Sequence, residues 1–459
     1  MNKKFDAIII GAGQAGPALA VKLANTGKKV AIIERNLFGG TCINTGCIPS
    51  KTLIASAYAA HQARHARDFG VLVNTPVTVD MKKIKERKDA IVHKYSSGLE
   101  TWLNDTANCT IYKGHASFEN SHTIRIGDEL LEGEQFFINV GARAFVPPIA
   151  GLDKVDYFTN SSIMAVDFLP EHLIIIGGSY IGLEFAQMYR RFGAKVTVIE
   201  KKSRLIPRED PDISDVVKEI MSGEGIDIRL NAECISLQKR NDKIVVTLGC
   251  QEQENEITGS HLLLTIGRQA NTQDLGLDNA GVEIDKRGFI KVDDYCRTNV
   301  SHIWALGECN GKGAFTHTSY NDYEIVAANL IDNNPRKISD RILTYALFID
   351  PPLGRAGLTE AEVRESGKKA LIATRPMTQI KRAVIKGETR GFMKVIVDGE
   401  TKQILGAAIL GVGGDEIIQS ILDVMYAKVP YTVIQNAVHI HPTVTELIPT
   451  MLGDLKPLD

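Results

Sequence analysis

Residues 5–16 read FDAIIIGAGQAG, an apolar, β-branched run that stops at Gly11 and opens a glycine turn through Gly13 to Gly16. Residues 18–25 have helical character with Gly27 as a stop, and residues 30–33 are a second apolar run ending at Glu34. This order predicts a βαβ dinucleotide site. Gly11 permits the tight turn, Gly13 lets the backbone approach a pyrophosphate, and Gly16 lets helix and strand pack closely. The helix N-terminus offers free N–H groups to phosphates, and the Glu34 carboxylate can take ribose hydroxyls. The glycines alone would be a weak signal. Their place between strand, helix, strand and acid makes them specific.

The pattern returns further on. Residues 173–182 read LIIIGGSYIG, with Gly177 and Gly182 as outer glycines, a helical stretch over 183–191 stopped at Gly193, and an apolar run over 196–199 ending at Glu200. In both copies the acid lies 18 residues after the last glycine, 16 to 34 and 182 to 200. A repeat of this kind implies two nucleotides in an α/β chain. Ser179 replaces the middle glycine, which a small side chain tolerates. The charge of Glu200 favours the free 2′-hydroxyl of NADH over a 2′-phosphate. Lys201, Lys202 and Arg204 follow and could accommodate that phosphate, so the preference for NADH is slight.

Just after the first acid, residues 39–51 read GGTCINTGCIPSK. Cys42 and Cys47 are five apart, a rise of about 7.5 Å on a regular helix, whereas bridged cysteines have Cα atoms within about 6.8 Å. Pairing therefore needs a distorted turn, and Gly46 is placed to permit one. A helix beginning here and the charge of Lys51 would lower a thiolate pKa. Two inert buried cysteines or a zinc half-site are the alternatives, although no other cysteine pair lies close enough to complete a zinc site.

The 459 residues, 44% hydrophobic and 24% charged with net charge -2, suit two to four cored domains. Lys82, Lys83, Lys85, Arg87 and Lys88 read as the solvated face of one helix, because Glu86 and Asp89 interrupt them; no nucleic-acid partner is expected. No apolar run is long enough to span a membrane. The seven cysteines, Cys42, Cys47, Cys109, Cys234, Cys250, Cys296 and Cys309, are scattered and odd in number, which argues against a secreted disulfide framework and for the cytoplasm.

Taken together, the first glycine turn, GGTCINTGCIPSK, the second turn with its acid, and His439-Ile-His441-Pro442-Thr443-Val-Thr-Glu446 resemble the class I pyridine nucleotide-disulfide oxidoreductases over about residues 5–455. Within that family the mercuric reductase and dihydrolipoamide dehydrogenase branch is most similar. The copper(II)-reducing flavoproteins of the reactive-chlorine response are also similar, in GGTCIN and in residues 315–323. The resemblance implies an α/β fold of two Rossmann-like domains and an α+β dimerisation domain: FAD-binding over 1–150 and 271–340, NAD(P)-binding over 151–270, dimerisation over 341–459. Pro147-Pro148 and Pro351-Pro352 suit linkers near two of these junctions.

The same resemblance assigns roles. Electrons would pass from NAD(P)H through FAD to a redox-active Cys42–Cys47 disulfide, with Cys47 against the flavin and Cys42 as the interchange thiol. Lys51 would sit by the flavin paired with Glu184, and Tyr180 would cover the flavin and swing aside for nicotinamide. Further cofactor contacts are implied at Gly40, Thr41, His115, Ala116, Gly141, Gly267 and Gly307. Glu308 stands where the family usually has the aspartate that binds a ribitol hydroxyl, which makes FAD affinity an open point. His441 would exchange protons with Cys42, oriented by Glu446, at the active site of a partner subunit; this implies a homodimer. Without the resemblance, two histidines at i and i+2 read as loop or zinc candidates.

The acceptor is a disulfide such as lipoamide or a metal ion such as Cu(II). Efficient Hg(II) reduction is disfavoured, since the last cysteine is Cys309 and no cysteine pair lies near the C-terminus. Glutathione is disfavoured because no residues can be assigned to bind it. A slowly turning flavoprotein sensor is the reading from another class, and the positioned acid–base pair argues against it.

Overall fold

A computed structural model describes residues 3–74, 76–233, 235–249 and 255–458; Cys234 and Cys250 lie outside these. The β-branched run at the N-terminus forms the strand Lys3–Ile10, flanked in parallel by Val30–Glu34 and Glu129–Ile138. Cys109–Lys113 extends this sheet beyond Val30–Glu34, and Ile303–Ala305 joins it in parallel on the last residues of Glu129–Ile138. A segment some 165 residues further along the chain thus completes the first sheet. The intervening helix is Gly16–Ala24, two residues earlier than the sequence pattern suggests, because Gly16 and Pro17 already take helical conformation at its first turn.

The second unit repeats the plan. Lys195–Ile199 pairs in parallel with His172–Ile176, the helix Tyr180–Phe192 joins them, and Gly193 caps that helix at φ +122°. Asp227–Arg229, His261–Leu264 and Phe158–Thr159 complete a five-stranded sheet. Its three central strands carry largely apolar, buried runs at residues 173–176, 196–199 and 262–264, as expected for a parallel sheet covered on both faces. The chain leaving the first unit and the chain returning to it pair with each other, Ala142–Ala144 antiparallel to Arg268–Ala270.

A six-stranded antiparallel sheet follows in the order Thr344–Leu347, Leu353–Gly357, Ile404–Leu410, Phe392–Asp398, Ala370–Pro376, Lys456–Pro457, with the helix Gly414–Tyr426 packed on it. Pro351-Pro352 is therefore not a linker. It lies in the hairpin between the first two strands of this sheet, where the missing N–H groups remove no ladder bond. The basic helix Met81–Asn104 also departs from expectation at one position: Lys88 is buried, paired with Asp89, while Arg87 donates to the Thr52 carbonyl at 2.9 Å. No helix among the described residues is long and apolar enough to cross a membrane.

Candidate active site

A cavity of about 2850 Å³ runs between the two glycine turns and the cysteine segment. Its size exceeds the several hundred Å³ that one small ligand occupies, and it has room for two dinucleotides. Gly11, Gly13, Glu34, Gly40, Thr41, His115, Ala116 and Gly141 line it from the first unit; Gly177, Tyr180, Glu184, Glu200 and Gly267 line it from the second.

The two turns are alike bond for bond. Gly11 donates to the Ile33 carbonyl at 2.8 Å and Gly177 to the Ile199 carbonyl at 2.8 Å. The Glu34 carboxylate accepts from the amides of Ala12 and Asn36, both at 2.8 Å, as Glu200 accepts from Gly178 at 2.7 Å and Lys202 at 2.8 Å. Each acid thereby fixes its own turn. Gly11 and Gly177 have φ of +101° and +116°, and a Cβ there would lie 2.4 and 2.5 Å from a backbone oxygen. Gly16 and Gly182 do not line the cavity. They stand behind it, where a Cβ would lie 2.3 Å from the Gly11 oxygen and 2.0 Å from the Gly177 oxygen, the close helix–strand approach that the motif anticipates. Ser179 is extended at φ -103°, so its side chain costs nothing.

The bare backbone, the acid-fixed turns and the continuous volume from Gly13 to Cys47 fit an FAD in the first unit. Gly177, Ser179, Glu200 and Gly267 fit a second nucleotide opposite. Asn139, which sequence reasoning missed, ties the first site together: its Oδ1 accepts from the Gly16 amide at 3.0 Å and its Nδ2 donates to the Leu306 carbonyl at 2.8 Å. A lone Asn after an apolar strand carries no local signal of that role. Gly307 also lies behind the cavity, with φ +76° and its amide on Asp322 Oδ2 at 2.7 Å. Glu308 lines the cavity, but its carboxylate is held by Arg268 Nε at 2.6 Å, a partner that the sequence did not reveal.

The helix Gly40–Thr45 breaks at Gly46 and a 19-residue helix starts at Cys47. A Cβ on Gly46 would lie 2.8 Å from the Thr41 oxygen, so the break needs glycine. The result brings Cys42 and Cys47 into thiol–thiol hydrogen bonding as free cysteines. The two thiols are driven apart in acidity. Cys47 is lowered to about 6, first by the hydrogen bond from Cys42, then, against the cost of burial, by the Thr316 hydroxyl at 3.2 Å and the charge of Lys51. Cys42, the donor in that pair and partly desolvated, is raised far above the ordinary thiol. Cys47 also begins a helix, which favours its anion. Burial raises the other described cysteines, Cys109 to about 11, Cys309 to about 12 and Cys296 well above the ordinary thiol. They are inert by comparison.

Lys51 Nζ meets Glu184 Oε2 at 2.6 Å, and the ammonium lies 4.4 Å from the centre of the Phe348 ring. Tyr180 lines the cavity with its hydroxyl on Glu209 Oε1 at 2.8 Å. His441 Nδ1 and Glu446 Oε2 are 2.8 Å apart. This pair does not line the cavity of its own chain; the His441 side chain is 64% exposed, beside fully exposed Val438 and exposed Ile440. The structure thus gathers both turns, the thiols, Lys51, Glu184 and Tyr180 around one space and leaves His441 and Glu446 outside it.

Comparison with known proteins gives the same reading. The model of the pyridine nucleotide-disulphide oxidoreductase family matches residues 5–322, and that of the corresponding dimerisation domain matches 343–452. An Escherichia coli K12 protein described as "Probable pyridine nucleotide-disulfide oxidoreductase RclA" is 37% identical, over 99% of this chain and 100% of its own. Mercuric reductase of Streptomyces lividans is 33% identical over 96% and 94%, and dihydrolipoyl dehydrogenase of Bacillus subtilis 32% over 96% and 94%. The solved structure described as the Cu(II) complex of HOCl-induced flavoprotein disulfide reductase RclA from Escherichia coli superposes with a TM-score of 0.90 at 36% identity, covering 99% of this chain and 100% of that one. With two nucleotide turns, a polarised thiol pair and a C-terminal dimerisation unit, the chain belongs to the pyridine nucleotide-disulfide oxidoreductases, FAD-dependent oxidoreductases that use NAD(P)H.

Proposed function

We propose that the chain is a homodimeric, cytoplasmic NAD(P)H-dependent flavoprotein that reduces a small disulfide through Cys42 and Cys47. The observation that carries this is the thiol pair itself: the helix break at Gly46 sets Cys42 and Cys47 side by side on the wall of the nucleotide cavity, with the Thr316 hydroxyl 3.2 Å from Cys47 Sγ and Lys51 on the same wall. Gly11, Gly13, Glu34, Gly40, Thr41, His115, Ala116, Gly141, Gly307 and Glu308 serve the FAD. Gly177, Gly182, Glu200 and Gly267 serve the nicotinamide nucleotide, with Tyr180 across its path. Glu200 keeps the preference for NADH. The domain division at 1–150 with 271–340, 151–270 and 341–459 is supported by the strands of the three main sheets, which fall within 3–138 and 303–305, 158–264 and 344–457.

When bound, FAD supplies the two-electron relay between nicotinamide and thiols. Cys47 is the thiolate on that side, held by Thr316 and Lys51. Cys42 gives its proton to His441 of a second copy of the chain and attacks one sulfur of the acceptor. The first acceptor thiolate leaves and takes that proton, giving a mixed disulfide at Cys42. Cys47 then attacks the Cys42 sulfur, releases the second acceptor thiolate, and closes the Cys42–Cys47 disulfide, so two electrons have passed. Glu446 fixes the His441 ring through Nδ1, leaving Nε2 for the thiol.

Reduction of Cu(II) at the same thiols is a second reading, favoured by the likeness to a flavoprotein solved as a Cu(II) complex. NADH and NADPH oxidation with lipoamide, glutathione disulfide, Hg(II) and Cu(II), beside Cys47→Ser, separates these. Fast turnover with one acceptor, lost in the variant, supports the relay and names the acceptor class. Equal activity in the variant, or no response to any acceptor, would leave a plain flavin reductase or a sensor.

A further inference from the structure

The carboxylate of Glu209 is fully buried and shared. Its Oε1 accepts from the Tyr180 hydroxyl at 2.8 Å and from the Tyr345 hydroxyl at 2.6 Å; its Oε2 accepts from Arg355 Nε at 3.0 Å and Nη2 at 2.6 Å. Arg355, equally buried, also donates to Asp210 at 2.8 Å. The two tyrosines line the cavity while Glu209 and Arg355 lie behind it. The Tyr345 ring meets Tyr180 edge-on at 5.4 Å and stacks on Phe315 at 5.4 Å, so Tyr345 is fixed from both sides and Tyr180 from one.

A buried carboxylate is heavily penalised when it loses its donors. Glu209 has four, arranged so that Tyr180 can withdraw without orphaning it: Oε1 keeps Tyr345 and Oε2 keeps Arg355. We infer that Glu209 and Tyr345 form a latch for Tyr180, Glu209 as the catch and Tyr345 as the donor that satisfies the catch while Tyr180 is away. Both are positioning residues that act through Tyr180, and the inference rests on the reading of Tyr180 as the residue that yields to nicotinamide.

The latch requires opposite effects from its two parts. In Tyr345→Phe, Tyr180 becomes the sole donor to Oε1, so its departure is harder and nicotinamide binds less well. In Glu209→Gln the acceptor loses its charge and the gate loosens. Tyr180→Phe loosens it too, without disturbing the buried Arg355. A purely structural role would weaken binding in all three.

The test is titration calorimetry of the FAD-loaded holoenzyme with NAD⁺ and with ADP-ribose, which carries the same adenine half and needs no gate to open. The ratio of the NAD⁺ Kd to the ADP-ribose Kd is expected to rise in Tyr345→Phe and to fall in Tyr180→Phe and Glu209→Gln. Each change is up to about tenfold, the size of one charge-assisted hydrogen bond acting on the open fraction, with ADP-ribose unchanged. If Glu209→Gln does not fold, the two tyrosine variants carry the same opposed signs. A ratio that stays fixed, or moves one way in every variant, overturns the latch alone. Wild-type protein that binds neither nucleotide overturns the nicotinamide reading and the latch with it.

Discussion

Thr316→Val isolates one support of the Cys47 thiolate. Valine keeps the shape of threonine and removes only the hydroxyl, which lies 3.2 Å from Cys47 Sγ at the first residue of the helix Thr316–Leu330. A hydrogen bond to a charged acceptor contributes about 1.5–3 kcal/mol. Cys47 opens onto the cavity and sulfur is a diffuse acceptor, so the low end applies, about 1.5 kcal/mol, close to one pH unit. The hydrogen bond from Cys42 and the charge of Lys51 remain in the variant, so the thiolate is weakened and not lost. Losing a donor to the anion raises the thiol pKa, and the Cys47 midpoint should rise by about one pH unit. Iodoacetamide alkylation of the dithiol form, followed at Cys47 by mass spectrometry from pH 5 to pH 9, measures the midpoint. At and below the wild-type midpoint the variant should react several-fold more slowly, and about two pH units above it the two should converge. A midpoint that stays where it is, or falls, would show that Thr316 does not stabilise the anion.

Lys51→Met should also raise the Cys47 midpoint in the same assay, whereas Glu184→Gln should lower it, because Lys51 favours the anion and Glu184 opposes it; shifts of one sign in both variants would contradict the electrostatic account. Gly182→Ala places a Cβ 2.0 Å from the Gly177 oxygen, so it should cost more than about 2 kcal/mol of stability and abolish ADP-ribose binding by calorimetry while FAD stays bound. Subunit exchange between Cys42→Ser and His441→Ala homodimers should restore about a quarter of wild-type turnover, since half the dimers become hybrids with one intact site of two. No recovery would place Cys42 and His441 of one chain in the same site.

Both βαβ units were legible because their information is local: a glycine turn, a helix period and an acid at fixed spacing describe contacts within some 30 residues. The break at Gly46 was legible for the same reason, since the five-residue interval of the cysteines is incompatible with a regular helix. Lys88 was misread because its neighbours Lys82 and Lys83 are exposed, and the turn of helix that buries it is set by packing that no charge pattern records. Pro351-Pro352 was misread because a hairpin and a linker favour the same dipeptide. Thr316, Arg268, Glu209 and Tyr345 were invisible as partners. Thr316 meets Cys47 across 269 residues and Tyr345 meets Glu209 across 136, and each residue alone is an ordinary hydroxyl or charge.

The two units share their turns down to the hydrogen bonds of Glu34 and Glu200, so the difference in what they do must come from the segments after those acids. After Glu34 the chain follows the cavity at once, through Gly40 and Thr41 to the helix that starts at Cys47, and so sets the thiols on the wall beside the first turn. After Glu200 it follows the cavity rim through Lys201 and Lys202, enters the interior at Leu205 and Ile206, and brings the buried Glu209 carboxylate to Tyr180. In the proposed reading one copy therefore ends in redox chemistry and the other in control of access. Lys51, four residues beyond Cys47 on the helix that follows the first acid, and Glu184, four beyond Tyr180 on the helix of the second glycine turn, meet at 2.6 Å. That ion pair joins the thiol side to the access side, alongside the packing of the helix Cys47–His65 on the helix Tyr180–Phe192. The proposed relay and gate are thus separable in sequence but joined through one packed pair of helices.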